Sequence, residues 1–298
     1  MTEEPTKISV IVRTFNEARH IPDVLKGIRS QVIQGASFEI IVVDSGSTDG
    51  TLDIAESFDC RIEHIPRESF SFGRSLNIGC SAASGSVLVM ISGHCIPANA
   101  SWLAELVAPL ANGRVALAYG CQRGDGSSHF SECRIFEKYF PSTSVIPQEG
   151  FFCNNANSAV LRSVWEQYQF DEGLTGLEDM HLAKRIIGEG LCVGYVAEAL
   201  VHHLHDETWG RIKSRFEREA IAMRHIMPEV HLSFADFMRY ASSSILLDFG
   251  AAIQTKQFLR YAPEIIMYRL SQYWGSYRGN HRHRKLSREV KERYYYPR

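Results

Sequence analysis

Short apolar runs alternate with amphipathic segments through the first 120 residues. The apolar runs are rich in β-branched residues and too short for helices, which predicts buried strands. These strands are expected at 8–12, 39–43, 61–65, 87–91 and 115–119. The segments between them repeat their apolar positions at helical spacing. Helices are expected at 21–28, 51–58, 73–83 and 102–110. This βαβα order predicts a parallel sheet covered by helices, with the carboxyl ends of its strands along one edge.

The pattern changes after residue 120. Residues 121–150 are rich in Gly, Ser and Pro and predict a loop-rich linker with one helix near 132–139. Mixed structure returns over 151–205, with strands expected at 158–161, 193–196 and 200–203 and a helix at 177–188. From Thr208 onward the pattern is almost wholly helical. The expected organisation is an α/β domain over 1–230 and a helical, basic C-terminal region over 231–298.

Composition narrows the class of protein. The hydrophobic fraction of 45% and the charged fraction of 22% are ordinary for a soluble globular chain, and the net charge of −2 argues against a protein built around nucleic acid. The seven cysteines are odd in number and none are spaced CxxC, which predicts free thiols in a reducing compartment. With no signal-peptide pattern and no apolar stretch of roughly 18 residues, a cytoplasmic protein without a membrane span is expected.

Four polar clusters follow the apolar strands and would share one edge of the sheet. They are Thr14-Phe15-Asn16-Glu17 and the residues 44–51, 92–97 and 177–182. A carboxylate such as Asp44 can accept from a base or ribose, and the backbone N–H groups of the following Gly/Ser turn can meet phosphate oxygens. The alternative is local: turn residues reverse the chain, and Ser47 or Asp49 caps the next helix.

Five stretches together resemble family 2 glycosyltransferases, which have the GT-A fold. They are ISVIVRTFNE, EIIVVDSGSTDGT, GRSLNIGCSAASGSVLVMISGHCIP, NSAVLRSVWEQYQFDEGLTGLEDMHLAKRI and VHHLHDET, and they cover roughly residues 7–227. The resemblance implies a Rossmann-like, mostly parallel sheet with flanking helices, followed by the helical C-terminal region. It also implies an inverting glycosyltransferase of hexosyltransferase type in polysaccharide or glycolipid biosynthesis. Such an enzyme would transfer a sugar from a UDP-, dTDP- or GDP-sugar to a hydroxyl of a glycan or lipid-linked acceptor.

The resemblance also assigns roles to individual residues. By it, Asp179 is the general base, and Glu178 orients it or binds acceptor hydroxyls. The donor-binding residues that it implies are Thr14, Asn16, Glu17, Asp44, Ser45, Arg74, Asn77, Ser92 and Asn157. Ser45 stands where many members have a second Asp, so one base or ribose contact differs. For Arg74 a solvated helix face is an equal alternative.

The metal motif departs from the family. Ser92-Gly93-His94 stands at the family's Asp-x-Asp position, where the second Asp binds a divalent ion. By the resemblance, the His94 imidazole takes the place of that Asp as a ligand of Mn²⁺ or Mg²⁺. A nitrogen ligand shifts the preference between these ions toward Mn²⁺. A histidine at the end of a later strand often completes this site; His203 is favoured and His205 is next, with His202 on the other strand face. Leaving-group stabilisation by cationic side chains and an inactive site are the alternatives.

The C-terminal region adds a question about partners. Residues 256–298 hold 11 Lys/Arg and 3 Asp/Glu, a net charge of 11 − 3 = +8, among amphipathic aromatic patterns. This fits peripheral attachment to anionic lipid at the inner face of a membrane. A helical cap on the catalytic domain and an oligomer contact are alternatives.

Two rival functions of the whole protein stay open: a nucleotidyltransferase, and a non-catalytic sugar-binding or scaffold protein with a degenerate metal motif.

Overall fold

The computed structural model describes residues 6–205, 207–282 and 288–296. These residues belong to two compact units that interleave along the chain. The first lies within Met1–Asp125, Phe140–Gly173 and Glu178–Leu204, and the second within Gly126–Tyr139, Leu174–Leu177 and His205–Arg298. The domain boundary expected between residues 230 and 231 falls inside the second unit and stays a prediction.

The strands of the described residues form a single sheet in the first unit. They are β1 (Thr6–Thr14), β2 (Ala36–Asp44), β3 (Arg61–His64), β4 (Val87–Ser92), β5 (Cys95–Pro97), β6 (Leu117–Arg123), β7 (Asn157–Leu161) and β8 (Val193–His203). Their order across the sheet is β3-β2-β1-β4-β7-β6-β8-β5. Pairs β1–β2, β1–β4, β2–β3 and β6–β8 are parallel. The mostly parallel sheet is confirmed.

Two strands are antiparallel to their neighbours, so the sheet is mostly and not wholly parallel. Strand β7 is antiparallel to both β4 and β6, and β5 is antiparallel to β8. An apolar run has the same pattern in either direction, so sequence periodicity carries no information about strand polarity. The two strands expected at 193–196 and 200–203 form one strand, β8, and the three-residue β5 was not predicted.

Helices of the first unit cover the sheet. They are α1 (Ile21–Arg29), α2 (Thr51–Glu56), α3 (Phe72–Ala82), α4 (Trp102–Ala111), α6 (Arg162–Tyr168) and α7 (Glu178–Gly188). The apolar face that predicted α1 is fully buried in the core; burying each such side chain stabilises the fold by about 1.5–3 kcal/mol. On α3, a Cβ at Gly79 would lie 2.4 Å from Ile11 Cγ2, so a residue without a side chain is what lets α3 approach β1.

The second unit is helical. It comprises α5 (Phe130–Tyr139), α8 (Trp209–Ile226), α9 (Phe234–Gln254), α10 (Phe258–Asn280) and α11 (Arg288–Tyr295). Inside it, Arg269 donates to the buried Asp248 carboxylate, with Nε 2.7 Å from Oδ2, and Ser131 donates to the same carboxylate at 2.7 Å. Among the described residues no helix combines the length and apolar character needed to cross a bilayer. All seven cysteines are free thiols, as the sequence predicted.

Candidate active site at the carboxyl edge of the sheet

Strands β1, β2 and β4 bring the first three polar clusters to the same edge of the sheet. Strand register pairs Thr14 with Asp44 and Arg13 with Ser92. Each pair stands at the carboxyl end of parallel strands, where ligands of open α/β sheets bind. The convergence expected from the βαβα order is therefore present.

The loop after β1 is hydrogen-bonded to the turn after β2. Asn16 has a left-handed backbone with φ 54°, which asparagine tolerates better than most residues. Its backbone N–H donates to Ser47 Oγ at 2.8 Å, and its Oδ1 accepts from the Thr48 backbone N–H at 2.9 Å. The Glu17 backbone N–H donates to Thr51 Oγ1 at 2.8 Å. Asn16 thus shapes the loop, and its contact with a nucleotide stays a prediction.

The Asp44 carboxylate is engaged by its own turn. Oδ2 accepts from the backbone N–H groups of Gly46 at 2.8 Å and Ser47 at 2.9 Å, and Oδ1 accepts from the Ser47 hydroxyl. Beside it, the Ser45 hydroxyl donates to the Thr14 carbonyl at 3.3 Å. Asp44 and Ser45 are buried. Local turn formation accounts for these bonds, so the predicted nucleotide contacts of Asp44 and Ser45 remain predictions.

Two histidines face each other beside this edge. His94 Nε2 lies 3.1 Å from His203 Nε2, and the rings are stacked with centroids 5.0 Å apart. His94 Nδ1 lies 2.6 Å from Glu17 Oε1, and His203 Nδ1 lies 2.6 Å from Gln122 Oε1. The outer nitrogen of each ring therefore has an oxygen partner, and the inner nitrogens point at one another.

This arrangement suits a divalent ion. A neutral imidazole that donates its Nδ1 hydrogen to an oxygen carries its lone pair on Nε2. Two such lone pairs 3.1 Å apart repel unless a proton or cation lies between them. Nitrogens at this separation can both reach one ion at about 2.0–2.1 Å, the usual zinc–imidazole distance. Glu17 and Gln122 each bring a side-chain oxygen to a histidine, and oxygen partners of this kind orient metal-binding histidines in many proteins.

The Glu178-Asp179 pair begins α7, next to the same edge. Asp179 Oδ2 accepts from the Asn155 backbone N–H at 2.8 Å, and Oδ1 accepts from the Met180 backbone N–H at 2.7 Å. The next residue after Asn155, Ala156, accepts from the Ser92 backbone N–H at 3.3 Å. These bonds connect the end of β4 to the predicted catalytic carboxylate.

Arg13 lies beside these two carboxylates. Its Nη1 is 3.6 Å from Glu178 Oε1, and its guanidinium stacks 4.5 Å from the centre of the Phe72 ring. Burial lowers the pKa of Arg13, and the negative charges of Glu178 and Asp179 oppose that effect. Sequence reasoning missed Arg13, although a charged residue inside the apolar run ISVIVRT was the signal for it.

Burial raises the pKa of Asp179 to about 7, and the neighbouring charge of Glu178 adds to the rise. The two backbone N–H groups and Arg13 act in the opposite direction. A carboxylate with a pKa near 7 is a stronger base than an ordinary aspartate and is still ionised in half of the molecules at that pH.

Several buried polar atoms at this edge have no hydrogen-bond partner among the described residues. Two of them are Thr14 Oγ1 and Asn155 Nδ2, whereas Arg13 Nη1 has its 3.6 Å ion pair with Glu178. Buried polar atoms are nearly always hydrogen-bonded in folded proteins, so atoms left over together are expected where a ligand binds. Asn155 adjoins Asp179 through its backbone, and Thr14 ends β1.

Two predicted donor ligands are instead anchors of the fold. Asn157 accepts from Trp102 Nε1 at 2.9 Å and donates to the carbonyls of Cys121 and Ala199, with no exposed surface. Asn77 accepts from Trp165 Nε1 at 3.0 Å and donates to the Phe170 carbonyl at 2.9 Å. Their amide groups are used inside the protein, which argues against direct contact with a donor sugar.

The other predicted residues are placed as follows. Arg74 is exposed on α3, and Ser92 is buried at the end of β4. His202 is exposed and His203 is buried, as alternation along β8 requires. His205 belongs to the second unit, where its Nδ1 lies 2.8 Å from Glu132 Oε1.

The environment of His205 is already ionic. Glu132, His205 and Glu207 offer ligand atoms within 4.8 Å of one another. Arg215 Nη2 lies 2.9 Å from Glu132 Oε1 and 2.7 Å from Glu207 Oε2, so a guanidinium neutralises the carboxylates that a metal ion would need. The role of His205 as a metal ligand stays a prediction.

Comparison with known proteins settles the family. Residues 9–168 match the sequence profile of the family described as Glycosyl transferase family 2. The chain belongs to glycosyl transferase family 2. It is 29% identical over 216 residues to the O-antigen chain rhamnosyltransferase RfbN of Salmonella typhimurium, and 32% identical over 212 residues to the glycosyltransferase AglE of Haloferax volcanii. Each match covers 68% of both chains.

Solved structures agree on the fold. The mannosyltransferase PcManGT from Pyrobaculum calidifontis, in complex with GDP-Man and Mn²⁺, superposes with a TM-score of 0.61 at 18% identity. The match covers 90% of this chain and 85% of that one. The GT-A fold is thereby confirmed. The glycosyltransferase activity is confirmed by the family match and the sequence relatives, so the nucleotidyltransferase alternative loses its support.

Proposed function

We propose that this glycosyltransferase is an inverting enzyme that moves a hexose from a nucleoside diphosphate sugar to an acceptor hydroxyl, with Asp179 as the base. The observation that carries the proposal is the buried Asp179 carboxylate, held by two backbone N–H groups at the same sheet edge as the loops after β1 and β2. Its raised pKa suits proton removal near neutral pH.

In the proposed reaction, Asp179 takes the proton of the acceptor hydroxyl while that oxygen attacks the anomeric carbon. The bond from that carbon to the diphosphate oxygen breaks in the same displacement, so the configuration inverts. Glu178 is assigned to orienting the acceptor, since it lies next to the base and is held by Arg13. Asn155 is a further candidate for the site. Its Nδ2 is buried without a partner among the described residues and can donate a hydrogen bond to a substrate oxygen.

The donor is assigned to the loops after β1 and β2, through Thr14, Asn16, Glu17, Asp44 and Ser45, with Arg74 and Ser92 beside the diphosphate. A UDP-, dTDP- or GDP-sugar fits this assignment; PcManGT was solved with GDP-Man.

His94 and His203 are the residues proposed to hold a divalent metal. Bound there, the ion would supply positive charge to the leaving diphosphate. Imidazole nitrogens favour Mn²⁺ over Mg²⁺, which prefers oxygen.

The acceptor is proposed to be a glycan or a lipid-linked glycan in polysaccharide or glycolipid biosynthesis. RfbN, named as an O-antigen chain rhamnosyltransferase, supports that class. We place the reaction in the cytoplasm, at the inner face of a membrane where a lipid-linked acceptor is presented.

The test is a screen of UDP-, dTDP- and GDP-sugars for release of the nucleoside diphosphate, with Mn²⁺, with Mg²⁺ and with chelator. In Asp179→Asn we expect release to fall by at least about 100-fold, the lower range for a general base, because the amide cannot take a proton. Nucleotide affinity, measured by calorimetry, should stay within a few-fold. The matched control is Asp53→Asn, an exposed aspartate in the first turn of α2, which should keep wild-type turnover.

The metal assignment is tested in the same assay. We expect His94→Ala to remove most of the stimulation by Mn²⁺, because one of the two facing nitrogens is lost. Full wild-type activity in chelator would refute the metal assignment and would not affect the assignment of Asp179 as the base. Near-normal turnover of Asp179→Asn would refute the base, and no release from any donor would favour the non-catalytic sugar-binding alternative.

A further inference from the structure

Large apolar side chains are exposed on two helices of the second unit. Eleven of the sixteen that are exposed among the described residues belong to α9 and α10, so the exposure is concentrated there. Leu259 is 90% exposed, Leu247 71% and Leu246 68%. Scattered apolar side chains are ordinary on a protein surface, but a group of this kind marks a surface that meets a partner or a lipid phase.

On α10 the exposed apolar residues share one side of the helix. Leu259, Ile266, Leu270 and Trp274 follow at steps of seven, four and four residues, the spacing of one helical face. We call these four residues the α10 face. The opposite side of the helix, with Ile265 among others, is buried within the unit.

Aromatic rings extend this surface toward α9. Trp274 lies 5.6 Å from Tyr277, and Tyr277 lies 5.8 Å from Phe234 at the start of α9. Phe234 is 55% exposed. Tryptophan and tyrosine are the residues enriched where a protein meets the boundary between lipid headgroups and acyl chains.

Exposed charges next to the α10 face are positive. Lys256 and Arg260 flank Leu259. Arg278 is one turn beyond Trp274 and also lies 3.8 Å from Glu217, so Lys256 and Arg260 carry the charge argument. All three are exposed. The surface therefore combines apolar side chains with cations at both ends of the helix.

The acidic residues of α9 and α10 are engaged within the second unit. Asp236 forms the capping box with Ser233. Asp248 is buried against Arg269, and Glu264 accepts from the Phe130 backbone N–H at 2.6 Å. Each of these carboxylates thus has hydrogen-bonding partners within the second unit, and Asp248 is also neutralised by Arg269.

We propose that the α10 face rests on a membrane that contains anionic lipid. Its apolar side chains enter the boundary between headgroups and acyl chains, while Lys256, Arg260 and Arg278 meet lipid phosphates. The proposal deepens the function above, on which it rests for the choice of a lipid-linked acceptor, and it identifies the surface that would bring the enzyme to that acceptor.

Charge favours a lipid surface over a second copy of the chain. In a two-fold dimer through the α10 face, the same patch meets itself. Such a contact would enclose two sets of the same cations with no unengaged carboxylate from α9 or α10 opposite them. An anionic bilayer supplies that negative charge, and each Lys or Arg near it contributes about 1 kcal/mol.

The experiment is co-sedimentation of the full chain with two kinds of vesicle, pure phosphatidylcholine and phosphatidylcholine with 30 mol% phosphatidylglycerol (about the charge density of an anionic leaflet). We expect the affinity for the anionic vesicles to be at least about tenfold higher, and to fall as salt is raised. Lys256→Glu with Arg260→Glu should lower it by at least about tenfold. Leu259→Ser with Leu270→Ser should lower it by a similar factor, through lost apolar contact.

Matched controls lie on the first unit. Lys26→Glu reverses an exposed charge on α1, and Val32→Ser replaces a side chain that is 66% exposed; neither should change binding. Hydrolysis of a soluble donor should be unchanged in every one of these variants, which separates this proposal from the catalytic one.

Two results would overturn the proposal. One is binding to vesicles that needs no anionic lipid, or that the charge-reversal and leucine-to-serine variants leave at the wild-type level. The other is a dimer in light scattering without lipid that Leu259→Ser converts to a monomer, which would assign the face to a second copy of the chain.

Discussion

Replacing Glu178 by glutamine should shift the pH dependence of sugar transfer toward acid. Asp179 has its pKa raised from 3.8 to about 7, with burial as the largest cause and the charge of Glu178 as the second. This difference of about 3 units corresponds to about 4 kcal/mol in favour of the protonated carboxyl. The Glu178→Gln substitution keeps the size of the side chain and removes the second cause. It also breaks the ion pair of Arg13 with Glu178, and Arg13 itself lowers the pKa of Asp179, so both effects have the same direction.

The expected shift follows from Coulomb's law. Two carboxylates about 5–8 Å apart at an effective dielectric constant of about 20 repel by about 2–3 kcal/mol, or 1.5–2.5 pKa units. We expect the midpoint to fall by at least about one unit, because Arg13 already screens part of this repulsion. At pH 6 the ionised fraction of Asp179 would rise from about one tenth to about one half. Relative activity at pH 6 should therefore rise about fivefold against its own plateau.

The assay is the pH profile of kcat/KM, which reports ionisation in the free enzyme. The base works when it is deprotonated, so activity should rise with pH through the midpoint in both proteins. The plateau of Glu178→Gln is expected to drop if Glu178 orients the acceptor, and for this reason the midpoint is the readout. Glu56→Gln, an exposed glutamate at the end of α2, is the control. A wild-type midpoint below about 5, or an unchanged midpoint in Glu178→Gln, would refute the reasoning.

Two further predictions concern stability. Asn157→Ala leaves the Trp102 indole N–H and the Cys121 and Ala199 carbonyls without their buried partner. The free energy of unfolding, measured in urea, should therefore fall by about 2–4 kcal/mol. Asn16→Ala, on the exposed loop after β1, is the control and should lower it by less. In the second unit, burial opposes ionisation of Glu132, but the bond from His205 and the charges of His205 and Arg215 outweigh it and lower the pKa from 4.5 to about 2. The resulting stability, at most about 3 kcal/mol, is present above pH 4.5 and is lost as the pH falls toward 2. Glu132→Gln should flatten that acid-side loss, and an unchanged acid profile would contradict the assignment.

The sequence was informative where local periodicity decides the structure. The spacing of Ile21, Val24, Leu25 and Ile28 predicted α1, and all four are buried in the core. Strand order and polarity depend on which distant segments pair, and no local pattern carries that. The antiparallel placement of β7 between β4 and β6 is the clearest case.

The site shows the same division between local and distant information. Strand ends could be aligned from their sequence, so Thr14, Asp44 and Ser92 were expected at one edge. Asn157 was assigned to the donor by the family resemblance. Its actual partner, Trp102, lies 55 positions earlier in the chain. A buried amide and a ligand-binding amide look alike until the packing around them is known.

In the proposed metal site, histidine ligands would change the charge of the site as well as its ligand atoms. The Asp-x-Asp motif that the sequence resemblance implies places a carboxylate against the ion, whereas imidazole binds a metal ion in its neutral form and brings no charge. In this chain a negative charge stands behind the histidine, on Glu17, whose carboxylate lies 2.6 Å from His94 Nδ1. A divalent ion held by the two imidazoles would keep more of its charge for the donor diphosphate. Under the proposed metal assignment, Ser-Gly-His in place of Asp-x-Asp would therefore alter the electrostatics of leaving-group stabilisation without removing the means for it.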